Sequence, residues 1–129
     1  MQKKLLLIGG VVNALFVVFH LLMGIALHKP SGLPADTHAL LQMLNVGGSL
    51  FILFFTLAFL AYPVEVVNTR VGRLSLLFCV FLYGTRAVEE IFWAPVFSPV
   101  IFSVCMVTTI LFTGIFISTF RSRIVQTKE

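Results

Sequence analysis

The sequence predicts an all-α protein, a transmembrane antiparallel four-helix bundle running up-down-up-down. Three observations predict it: four apolar stretches at 5–27, 39–62, 71–92 and 97–120, short breaker-rich connections between them, and basic residues gathered at alternate ends. Each stretch is close to the roughly 20 apolar residues that cross a bilayer at about 1.5 Å rise per residue. Composition agrees. Of 129 residues, 59% are hydrophobic and 11% charged, with a mean hydropathy of +1.06, whereas soluble domains carry about 25% charged residues. Four spans leave almost nothing for a soluble domain, so residues 1–129 read as one transmembrane domain.

Span 1 follows Lys3 and Lys4, a charged start that also suits a signal peptide. Its apolar run is longer than the usual ~7–15 residues and no small-residue cleavage site follows it, so it reads as a retained helix. The connection at 28–37 is the longest, with Pro30, Gly32 and Pro34 as breakers. Asp36 or Thr37 is placed to cap span 2, because a side-chain oxygen there can accept an orphan backbone N–H. Pro63 ends span 2, and Pro95 and Pro99 bracket a tight apolar turn between spans 3 and 4. Connections this short favour antiparallel neighbours.

Charge orients the bundle. Lys3, Lys4, Arg70, Arg73, Arg121, Arg123 and Lys128 fall on one side of alternating spans, against Lys29 on the other. The positive-inside rule then puts both termini in the cytoplasm and the first and third connections outside. Tyr62 and Trp93 stand at span ends, where amphipathic aromatics favour the interface. The net charge of +4 forms no groove-like stripe, so nucleic acid is not an expected partner; the lipid bilayer is.

The polar residues fall at helical spacing. In span 1, Asn13, His20 and Gly24 share a face. In span 2, His38, Gln42, Asn45, Ser49 and Thr56 form one stripe, and in span 3 Cys79, Tyr83, Arg86, Glu90 and Trp93 form another, with Glu89 beside it. Span 4 has only weak hydroxyls and reads as an apolar wall. By the rise per residue, His20, Asn45 and Arg86 lie roughly 10 Å below the outer ends, and Gln42, Glu89 and Glu90 about 5 Å below. His38 is at the mouth. Ionisable groups inside a membrane are costly, so the gathering of His20, Gln42, Asn45, Arg86, Glu89 and Glu90 in one half marks a candidate ligand site, an outer vestibule.

Arg86 is one turn before both acids and can pair with either, leaving one carboxylate over. That surplus suits a small polar or cationic ligand: a metal ion, a quinone or a lipid headgroup. His20, His38 and Glu90 would be the metal ligands if His38 folds inward, a donor set that suits zinc or iron. The competing reading is structural, with Arg86 and the acids an interfacial ion pair, His20 a hydrogen-bonded imidazole and the span 2 stripe interhelical glue. Haem is disfavoured, because Asn45 rather than a second histidine stands opposite His20. Cys79 and Cys105 form no C-x-x-C, against thiol–disulfide exchange.

Taken together, Asn13-x6-His20, Gln42-x2-Asn45 and Arg86-x2-Glu89-Glu90 give the chain a pattern that resembles uncharacterised small four-span proteins of the bacterial inner membrane. That resemblance covers the whole chain and implies no activity. Small multidrug exporters share the span count but use an acidic residue in their first span, which is missing here; quinone-linked thiol oxidases have cysteine pairs that are missing too. Three function classes follow: a binding or redox module with an outer vestibule, an accessory subunit docking a larger membrane protein or another copy, and an enzyme acting on a lipid headgroup with His20 as base. No recognisable nucleophile or metal motif supports the third, which ranks last.

Overall fold

The computed structural model describes residues 2–28, 32–94 and 96–126, with side chains described through residue 119. Lys29, Pro30, Ser31, Pro95 and Lys128, and the side chains of Arg121 and Arg123, lie outside the described residues. The chain forms α1 (Gln2–Leu27), α2 (Ala35–Ala61), α3 (Pro63–Asn68), α4 (Arg70–Phe92) and α5 (Pro99–Gln126), and no strand occurs among the described residues. The four long helices are each apolar and long enough to cross a membrane. The fold is therefore the all-α four-helix bundle, and it fits a small integral membrane protein.

α1 packs along α2 and α4 along α5, and α1 and α5 close the ring on one side. On the opposite side α2 meets α4 through Phe78, whose ring lies 6.1 Å from that of Phe51 and 5.7 Å from that of Phe55. One end of the bundle, the α3 end, carries Gln2, α3 and Thr119. The far end carries Leu27, Ala35, Phe92 and Pro99.

Several element boundaries differ from expectation, two of them at helix starts that carry a proline. α2 starts at Ala35, so Pro34 is its N-cap, and no side chain caps it. Asp36 and Thr37 lie inside the first turn, where Asp36 complements the positive end of the helix dipole rather than capping it. α5 starts at Pro99 rather than at 97, as suits a residue with preset φ and no N–H to satisfy. The expected stop at Pro63 is met, with Tyr62 as C-cap, but Pro63 also opens α3, a short helix hidden inside the connection. Thr69 then caps α4 by accepting from Gly72 N at 2.9 Å. Gly72 lies so close to α3 that a Cβ there would stand 2.3 Å from Val66 backbone atoms, so only glycine fits this corner.

The apolar core fills the α3 half. Leu6, Phe59, Leu76, Phe112 and Ile115 are fully buried, with Val66 closing the end. Gly9 lets the Phe112 ring approach α1, where a Cβ would meet it at 2.8 Å. An aromatic chain crosses the middle, Phe59 to Phe112 at 5.4 Å, Phe112 to Tyr83 at 6.0 Å and Tyr83 to Phe16 at 4.8 Å, and so ties all four long helices. Outward faces are apolar as well, with Leu15, Leu22, Met43, Phe54 and Phe81 well exposed. Patches of that extent suit lipid rather than water.

Candidate functional site

The polar residues expected to share one vestibule separate into two groups. On α1 and α2, the stripe forms rungs between the helices. Asn45 Nδ2 donates to His20 O at 3.0 Å, Gln42 Nε2 donates to Gly24 O at 3.4 Å, and the His38 ring reaches Leu27 O. As α2 descends from His38 through Gln42 to Asn45, α1 presents the carbonyls of Leu27, Gly24 and His20 in antiparallel step. Gly24 makes the approach feasible, since a Cβ there would lie 2.9 Å from Asn45 Nδ2. Small residues commonly let membrane helices close up in this way.

His20 takes part through its backbone. Its ring Nδ1 donates to Phe16 O at 2.8 Å, one turn back on the same helix, so this nitrogen carries the proton. The ring is edge-on to Phe19 at 5.6 Å. The expected meeting of His20 with Asn45 occurs, but at the His20 carbonyl rather than the imidazole. Ser49 and Thr56, further down the stripe, donate to carbonyls of their own helix. Gln42 and His38 also line a cleft of about 560 Å³ between the α1 and α2 ends, with Gly24 and His28.

The second group is built on α4 and the start of α5. Arg86 Nη2 meets Glu90 Oε2 at 2.8 Å, one helical turn apart, and Glu90 Oε1 accepts from Ser98 N at 2.8 Å. The Glu90 side chain is only 3% exposed, whereas that of Arg86 is 43% exposed. Glu90 therefore fastens the connection after α4 to its parent helix, and the backbone N–H it receives adds to the charge pairing. Ser98 in turn accepts from Ile101 N at 3.4 Å through its hydroxyl, as a cap of the first turn of α5.

Glu89 has neither an ion pair nor a side-chain hydrogen bond among the described residues. It is half-buried and lines two clefts. The first, about 420 Å³, lies between α4 and the head of α5 and is walled by Arg86, Glu90, Trp93, Ser98 and Ile101. The second, about 320 Å³, lies along the other flank of α4 beside Phe81, Thr85 and Arg86.

The two groups are not joined by a hydrogen bond or ion pair among the described residues. His20, His38 and Glu90 are not gathered into a ligand set, and among the described residues no group of three or more His, Cys, Asp or Glu side chains is placed to hold a metal ion. His38 turns to Leu27 O and Glu90 is committed to Arg86 and Ser98. Cys79 and Cys105 are both free and buried.

One buried polar pair was not anticipated. Tyr83 donates its hydroxyl to Asn13 Oδ1 at 2.7 Å across the bundle centre, and Asn13 is completely buried. Both residues stand on the polar stripes read from the sequence, which is the signal that could have paired them. No family model matches this chain, and no curated protein or solved structure matches it either.

Proposed function

We propose that this small membrane protein holds a small cationic or polar group at Glu89, in the far-end cleft between α4 and the head of α5. The observation that supports the reading is the division of labour between two adjacent acids. Glu90 is buried and neutralised by Arg86 and Ser98 N, whereas Glu89 lines the cleft with no partner among the described residues. Two carboxylates and one guanidinium leave one negative charge, and a half-buried negative charge attracts a cation. Trp93, 75% exposed on the same cleft, offers a ring face to an organic ammonium. His20, Gln42, Asn45 and His38 belong to the α1–α2 seam in this reading and act in packing. The seven-to-one distribution of basic residues supports cytoplasmic termini, so that the cleft opens outward in the bacterial inner membrane we propose as its setting.

The second reading, an accessory subunit docking a larger membrane protein or another copy, draws on the cleft along the other flank of α4, where Arg86 and Glu89 again take part. A helix bearing a basic residue would pair with Glu89 there. The chain has a single tryptophan, so one titration separates the two. Ethanolammonium added to purified protein in detergent should shift Trp93 emission saturably, and Glu89→Gln should abolish the shift while the protein still elutes as a folded species. An unresponsive wild type would overturn binding in isolation and leave the docking role in its place.

A further inference from the structure

The polar cleft does not stand alone. Ile101 is a wall of the Arg86–Glu89–Trp93 cleft and also of an apolar groove of about 540 Å³ between α1 and α5. Phe16, Phe19, Val104 and Val107 line that groove, whose surface is almost wholly apolar. Its origin is the way α1 meets α5. In the α3 half the two helices clasp, with Gln2 Nε2 donating to Ser118 O at 2.7 Å and Phe112 pressed on Gly9. In the far half the groove separates them, and it opens to the lipid side through exposed Leu15, Phe19 and Val107. Its extent along α5, from Val100 to Thr108, is roughly 12 Å at the helical rise.

From this adjacency at Ile101 we infer that the ligand is a zwitterionic phospholipid, its ammonium and phosphate held at Glu89 and Arg86 and one acyl chain lying in the α1–α5 groove. The inference rests on the reading of Glu89 as the contact for a cation. Charge favours both halves of such a headgroup. Arg86 spends one donor on Glu90 and, with its side chain 43% exposed, keeps others for a phosphate. Glu89 and Trp93 take the ammonium. Arg86 and Glu89 are three residues apart on one helix, about 5–6 Å between Cβ atoms, which suits opposite charges two carbons apart. A volume of several hundred Å³, apolar with a few convergent polar groups, is of the kind that binds small amphiphiles. An anionic headgroup would satisfy Arg86 but meet Glu89 unfavourably, and an uncharged one would leave both unused.

The test is retention in native mass spectrometry. Purified protein in mild detergent is offered equal amounts of palmitoyl-oleoyl phosphatidylethanolamine, phosphatidylglycerol and diacylglycerol. The ethanolamine lipid should be retained as a single adduct over the other two, and Glu89→Gln should cut that retention roughly tenfold, the worth of one charged contact. Val104→Phe, which fills the groove on its lipid-facing wall, should lower retention comparably while the Trp93 response to ethanolammonium persists. Equal retention of all three lipids, preference for the anionic one, or a doubled protein mass without lipid would overturn the inference. If Val104→Phe retains lipid as the wild type does, the groove is not the tail site, and the headgroup reading alone stands. If ethanolammonium fails to move Trp93 in the wild type, the reading of Glu89 falls as well.

Discussion

Tyr83 on α4 and Asn13 on α1 are joined across the bundle centre by a 2.7 Å hydrogen bond in which the phenol donates to the amide oxygen. Both are buried, and the amide nitrogen of Asn13 has no nitrogen or oxygen partner among the described residues, only the weak sulfur acceptor of Cys79. A buried polar atom left unpaired is costly, so this one bond compensates a larger liability. It also fixes the rotation of α1 against α4, which lie diagonally opposite and are otherwise linked there by the Phe16–Tyr83 ring contact.

Removal of the donor should therefore cost more than removal of the pair. Tyr83→Phe strands the buried amide oxygen of Asn13 and should destabilise the bundle by about 1–2 kcal/mol. Asn13→Leu combined with Tyr83→Phe replaces both partners with apolar groups and should recover most of that loss. Thermal or denaturant unfolding in detergent measures both. If the double variant is weaker than the single, the pair stabilises the fold by more than its own satisfaction.

The relation between sequence and structure turns on what a side-chain letter can encode. The four spans were legible because a long apolar run has few alternatives, and the polar stripes of span 2 and span 3 were legible from their helical spacing. The partners of those stripes were not. Asn45, Gln42 and His38 all reach main-chain carbonyls of α1, and Glu90 receives the main-chain N–H of Ser98. Every residue has a main-chain carbonyl and all but proline an N–H, so no spacing in the sequence singles out these ones. The Tyr83–Asn13 pair escaped for another reason: counting the rise alone sets the two at different depths, but a long helical side chain leans toward its helix N-terminus, which for Tyr83 is the α3 end. α3 itself is six residues long, too short for periodicity to reveal.

Glycines separate into tight and open positions. Gly72→Ala places a Cβ against the Val66 backbone, which cannot rotate away, and should cost roughly 2 kcal/mol or more through displacement of α3. Gly47 has nothing within 4 Å of an added Cβ. Gly47→Ala should instead stabilise α2 slightly, by roughly 0.5–1 kcal/mol of backbone entropy. Unfolding of the two variants side by side gives opposite signs if the α3–α4 corner is as tight as described.

Orientation is open to a labelling experiment. Cys79 and Cys105 are buried, so a cysteine placed at exposed Leu33 is the accessible thiol of the described chain. In intact bacterial cells, Leu33→Cys should react with a membrane-impermeant maleimide, and a cysteine in place of exposed Glu65, in α3, should react only after lysis. The reverse pattern would turn the far-end cleft toward the cytoplasm and remove any external source for its ligand.

Glu89 and Glu90 are neighbours with opposite expectations, and that contrast is the sharpest test of the site. Glu90→Gln keeps the shape but removes the charge that holds Arg86 and weakens the acceptor for Ser98 N. Breaking a fully buried pair costs about 3–5 kcal/mol, but Arg86 is nearly half exposed and can turn to water, so about 1–2 kcal/mol is expected here. Thermal unfolding in detergent should register that loss, together with faster proteolysis of the connection between α4 and α5. Glu89→Gln removes a carboxylate with no partner among the described residues and should leave stability within about 0.5 kcal/mol of the wild type. If the two adjacent acids shared one role, the two variants would lose stability alike. Unequal stability, with the Trp93 response lost in the variant that stays stable, assigns Glu90 to the frame of the cleft and Glu89 to what the cleft holds.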